Sequence, residues 1–136
     1  MGDDMVQLPR WSEETRPYWD ALRSGKLVYQ RCLACAEVVF HPRAICPYCL
    51  SDRLEWCPSR GVGRIYSFTV QYRAPIAEQQ KDMPIALGIV ELDEGFHMFT
   101  QFVTRDFSSL RIGQAVEVRF DRVSEELVLP KFAPVA

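Results

Sequence analysis

Positive charge is not in excess in this chain. Sixteen Lys and Arg stand against 18 Asp and Glu, a formal net charge of −2 over 136 residues, so there is no global positive field to draw in a phosphate backbone. Histidine is scarce: His41 and His97 are the two copies, and neither lies in a motif that would supply a hydrolase triad. The seven glycines form neither a Gly-x-x-x-x-Gly-Lys-Ser/Thr loop nor a Gly-x-Gly-x-x-Gly turn, which removes the common nucleotide-phosphate cradles. Gly61-Val62-Gly63 reads instead as a bend before a strand. No apolar run approaches the length of a membrane span, and the opening MGDDMVQLPR has no apolar stretch of the kind an export signal needs. These absences set the expectation of a cytoplasmic protein that does not engage membranes. What the chain does have is 48% hydrophobic and 12% aromatic residues, enough to bury a core in one domain or in two small modules that share an interface.

The pattern that organises the chain is Cys32-Leu33-Ala34-Cys35, ten intervening residues, and Cys46-Pro47-Tyr48-Cys49. Two Cys-x-x-Cys pairs at this spacing place four thiolates on two tight turns, the arrangement of a closed tetrahedral metal site. Zinc, redox-silent and content with four sulfurs, is the expected ion; iron is the secondary candidate for the same shell. A site with four protein ligands has no open position and is therefore structural rather than catalytic. Turns of this type favour Gly just after the second cysteine, where φ must be positive. Here those positions are Ala36 and Leu50, so both turns are expected to be strained. Cys57 is the odd thiol, expected to be small and partly buried.

The rest of the chain divides by pattern. Residues 1–28 are read as an N-terminal helical segment, with Ser12 and Thr15 as cap candidates, Pro17 in the first turn, Tyr18, Trp19 and Leu22 on one apolar side, and an end near Gly25. Residues 29–60 form the metal ribbon, with strands at Lys26–Arg31, Val38–Phe40 and Leu54–Trp56, and His41 as a loop residue. From Gly61 onward, residues 61–136 are strand and turn: Gly63–Arg73, a loop Ala74–Pro84, Ile85–Leu92, a hairpin at Asp93-Glu94-Gly95, Phe96–Thr104, Ala115–Phe120, and a last strand interrupted at Pro130. Five short antiparallel strands with a longer crossing between the third and fourth imply a Greek-key barrel of the OB type, with a five-stranded sandwich as the alternative. The fold class is mainly β.

Ribbon plus barrel points to binding rather than independent catalysis. Stacking aromatics such as Tyr66, Phe68, Tyr72, Phe96, Phe99 and Phe102 would serve single-stranded nucleic acid, although the negative charge opposes that reading and several of these rings are needed for the core. The acids Glu91, Asp93 and Glu94 read as a solvated turn. Arginines such as Arg43 and Arg73 would equally suit the phosphates of a nucleotide-bearing small ligand.

Pro17-Tyr18-Trp19-Asp20-Ala21-Leu22, Gly25-Lys26-Leu27, Gln30-Arg31-Cys32, the doubled Cys-x-x-Cys with Pro42-Arg43, Gly61 to Val70, and Leu110 to Val116 together resemble the DUF35 family of zinc-ribbon, OB-fold, acyl-CoA-associated proteins. The resemblance covers nearly the whole chain from about Thr15. It implies an N-terminal helical segment, a rubredoxin-like zinc ribbon ligated by Cys32, Cys35, Cys46 and Cys49, and a C-terminal OB barrel. It further implies a non-catalytic companion of a thiolase or thiolase-like aldolase that helps to accommodate acyl-CoA. Tyr18, Trp19, Phe68 and Tyr72 would then line the contact or groove, with Arg43 or Arg73 meeting phosphate.

Overall fold

The computed structural model describes residues 12–135; the N-terminal stretch before Ser12 lies outside them. Helix α1 (Arg16–Arg23) starts at Thr15 with Pro17 in its first turn. Thr15 is the N-cap, but its hydroxyl accepts from the Ser12 amide at 2.9 Å rather than capping the helix. The chain leaves the helix through Gly25 at φ 77°, which only glycine adopts freely. Tyr18 and Leu22 are buried on one side of α1 while Arg16, Asp20 and Arg23 face water.

A three-stranded sheet follows, in order β2-β1-β3, from β1 (Val28–Cys32), β2 (Val38–Val39) and β3 (Leu54–Pro58). Strands β4 (Val62–Gln71), β5 (Ile85–Leu92), β6 (His97–Phe102), β7 (Ala115–Arg122) and β8 (Val128–Pro134) then close into a barrel ordered β4-β5-β6-β8-β7. This is the OB-type barrel expected, with the long connection after the third barrel strand carrying a short 3-10 helix at Phe107–Ser109.

Three particulars of the barrel strands differ from the sequence reading. The barrel is not wholly antiparallel: β6 and β8 run parallel where Phe102 meets Phe132, because the crossing connection brings β8 back beside β6 in the same direction. Pro130 does not interrupt the last strand, which pairs continuously with β7 from Val116–Pro134 to Arg122–Val128; a proline is tolerated because it sits beside the short β6–β8 seam. Gly63 is not part of a bend. It lies within β4 opposite Leu92, where a Cβ would stand 2.2 Å from the Glu91 carbonyl oxygen.

One core joins the three segments. Leu22 of α1, Leu27 just before β1, Tyr29 of β1, and Ile65, Val90, Phe102, Val116 and Phe132 of the barrel are buried in a single cluster. Aromatic rings bridge the parts: Phe40 stacks on Phe96 with centroids 4.9 Å apart, Tyr29 lies 5.0 Å from the same ring, and Tyr18 meets Phe40 edge-on at 5.7 Å. The polar link is Glu94. Its carboxylate accepts from the Ser59 hydroxyl and the Arg60 amide, both at 2.8 Å, tying the β5–β6 hairpin to the ribbon–barrel connection. Glu94 is thus a positioned acceptor rather than a member of a solvated turn.

Candidate metal centre and junction cavity

The two cysteine turns repeat one backbone design. In the first, the Ala36 amide donates to the Cys32 carbonyl at 2.8 Å and the Cys32 amide to the Glu37 carbonyl at 2.9 Å; in the second, Leu50 donates to Cys46 at 2.9 Å and Cys46 to Ser51 at 2.8 Å. The turn tightness forces the residue after each second cysteine into left-handed backbone, Ala36 at φ 66° and Leu50 at φ 67°. Neither is glycine, so both turns hold a strained conformation.

The sulfurs converge. All four Sγ atoms lie within 4.8 Å of one another, with Cys32–Cys49 at 3.5 Å and Cys35–Cys46 at 3.7 Å. A tetrahedral shell with metal–sulfur bonds of about 2.3 Å needs sulfurs roughly 3.8 Å apart, so the donor set fits such an ion. Without one, the thiols share protons unevenly. Amides of Cys35 and then Ala34 favour the Cys32 thiolate and hold that thiol down to about 6. At Cys35 the Glu37 amide favours the thiolate, but desolvation and the neighbouring sulfurs outweigh it and push the thiol up to about 12. A divalent cation removes this conflict by favouring all four thiolates at once.

The second turn is positioned by a side chain that sequence patterns did not single out. Gln30 is buried, and its amide nitrogen donates to the Arg43 carbonyl at 2.9 Å while its amide oxygen accepts from the Arg43 amide at 2.8 Å. This two-point clamp fixes the segment leading to Cys46. Cys57, on β3, is half-buried as expected.

Where α1, the end of β2 and the barrel meet, a cavity of about 560 Å³ opens. Tyr18, Trp19 and Phe40 form one side, and Leu87, Phe99 and Leu129 much of the other. Gln101 and Lys131 bring polar groups to its wall. Tyr18 is mostly core, and burial drives its phenol well above the ordinary range, so it stays neutral. A second hollow of about 300 Å³ lies on the outer face of β4, β5 and β6, where Phe68 is one wall. Of the other expected ligand residues, Arg43 is exposed next to Pro42, itself a cavity residue. Tyr72 and Arg73 are exposed just past β4, in a loop whose backbone Gln80 holds through the Tyr72 carbonyl at 2.8 Å. His97, exposed as expected, pairs with Glu91 at 3.0 Å and lies tilted against the Tyr66 ring with centroids 4.5 Å apart.

Residues 19–55 match the family model described as ChsH2, rubredoxin-like zinc ribbon domain, and residues 56–121 the one described as ChsH2, C-terminal OB-fold domain. A DUF35 domain-containing scaffold protein of Methanothermobacter thermautotrophicus is 40% identical over 85% of this chain and 86% of its own length. The chain belongs to the DUF35 family. The benzoylsuccinyl-CoA thiolase subunit BbsA of Thauera aromatica is 27% identical to this DUF35 chain over 83% of it and 79% of the relative. A chain of the solved Ltp2-ChsH2(DUF35) aldolase is 30% identical and superposes with a TM-score of 0.83, covering 93% of this chain and 98% of that one. Some relatives are much longer: this chain spans 39% of a probable enoyl-CoA hydratase alpha subunit from Thermomonospora curvata. Among the described residues, no helix of this DUF35 protein is long and apolar enough to cross a membrane.

Proposed function

We propose that this DUF35 protein is a non-catalytic accessory subunit that holds a thiolase or thiolase-like aldolase and contributes a surface for its acyl-CoA. The observation that carries the reading is the superposition over 98% of a chain from the Ltp2-ChsH2(DUF35) aldolase at 30% identity. In this reading residues 29–60 are a zinc ribbon in which Cys32, Cys35, Cys46 and Cys49 ligate zinc. The ion's role is to fix the two strained turns. The N-terminal segment, residues 1–28, through its helix α1, and the barrel domain, residues 61–136, through β5, β6 and β8, meet the ribbon at the junction cavity.

In this reading the apolar part of the ligand rests against Trp19, Tyr18 and Phe68, and the exposed Arg43, Tyr72 and Arg73 are the groups to meet its polar end, a guanidinium suiting a phosphate. This reading takes the protein to be cytoplasmic, a compartment in which thiols of a metal set stay reduced. The partner supplies the nucleophile.

The test is recovery of the tagged full chain from its native host under mild conditions. A thiolase-superfamily enzyme should come with it in fixed proportion. Recovery without any CoA-utilising enzyme, under several ionic strengths, refutes the reading.

A further inference from the structure

The junction cavity and the hollow on the outer barrel face share two walls, Leu87 and Phe99. Phe99 projects outward from β6 opposite Ile89 of β5, and it remains 71% exposed. A ring so exposed contributes little to the core, yet it stands where the two apolar spaces meet. Beyond it Ser67, Thr69 and Ile89 line the second hollow, with the Gly88 backbone between them.

We infer that the two hollows are compartments of one apolar channel for the acyl chain, and that Phe99 is the partition that sets the length accepted. This rests on the acyl-CoA reading above. The polar groups of Gln101 and Lys131 belong to the first compartment, so the thioester end lies there and the tail points toward Phe99. The first volume, about 560 Å³, falls within the range of small-molecule sites and the second, about 300 Å³, at its lower edge. A short chain fits on the near side of the ring. A long one must displace it.

The experiment measures affinities of butanoyl-, octanoyl- and hexadecanoyl-CoA by calorimetry, for the full chain alone and in the complex recovered with its partner. Each extra methylene buried raises affinity about fourfold. In the parent the rise should level off before the longest chain. Phe99→Ala should continue the rise, tightening hexadecanoyl-CoA by about fifteenfold or more relative to butanoyl-CoA, for two or more methylenes newly buried. Phe99→Trp should level off earlier. Because the ring is exposed, both variants should melt with the parent.

An unchanged length profile in both variants overturns the inference, and so does a parent profile that never levels off. Loss of the partner on Phe99→Ala with the profile intact overturns it in favour of a protein contact. Absence of any acyl-CoA affinity, alone and in the complex, overturns both this inference and the ligand half of the proposed function. Co-recovery of the enzyme would still stand as the separate test of the scaffold half.

Discussion

Glycine at both strained turn positions should stabilise the ribbon. Ala36 and Leu50 hold φ 66° and 67°, a conformation that costs a residue with a Cβ about 1–2 kcal/mol. Glycine relieves this cost but loses more chain entropy on folding, about 0.5–1 kcal/mol relative to alanine. The net gain is therefore roughly 0.5–1 kcal/mol per site and about 1–2 kcal/mol for the pair. Little packing is lost, since Leu50 is 78% exposed and Ala36 is also exposed. For a domain of this size the double variant should melt several degrees higher, about 4–8 °C. The assay is thermal unfolding of metal-loaded protein, with competitive chelation in parallel. Tighter metal retention should accompany the higher melting point, because the same turns aim the sulfurs. A double variant that melts at or below the parent, with metal content unchanged, would refute the claim that these turns store strain.

Other substitutions probe other joints of the structure. Leu22→Ala removes a fully buried side chain of α1 and should cost about 2–5 kcal/mol in denaturant unfolding. Gln30→Ala leaves the Arg43 amide and carbonyl without their partners; it should cost about 1–3 kcal/mol and weaken metal retention in the chelation assay, which a purely local packing defect would not. Gly88→Ala drives a methyl into the β4 backbone and the Phe102 ring, and circular dichroism melting should show a loss of about 1–3 kcal/mol. Chelation at neutral pH should remove stability on the order of 10 kcal/mol from the ribbon, seen as loss of near-ultraviolet signal from Tyr29 and Phe40 before the barrel strands unfold.

Much of this was legible in local patterns, and the rest depends on closure. The cysteine spacing and the missing glycines at Ala36 and Leu50 are local facts, and the structure places both residues in left-handed backbone. Tyr18 and Leu22, spaced one helical turn apart, share the buried side of α1. The parallel meeting of Phe102 and Phe132 has no such local mark, because it follows from where the last strand lands when the barrel closes. Glu94 and Gln30 were missed for a related reason. A carboxylate in a turn and an amide in a strand look solvated until partners distant in sequence, Ser59 at 35 residues and Arg43 at 13, are brought to them. The junction cavity belongs to the same class: its walls come from α1, the ribbon and three barrel strands, and no single stretch announces it.

The central claim is that a sulfur-held ion shapes the ribbon against which helix and barrel form a platform for another enzyme's substrate. Native mass spectrometry of material purified from the host reads the metal and the partner in one spectrum. The account predicts one zinc per chain together with a thiolase-superfamily subunit, and loss of both on chelation. A metal-free chain that still carries its partner, or a zinc-loaded chain that carries none, would contradict it.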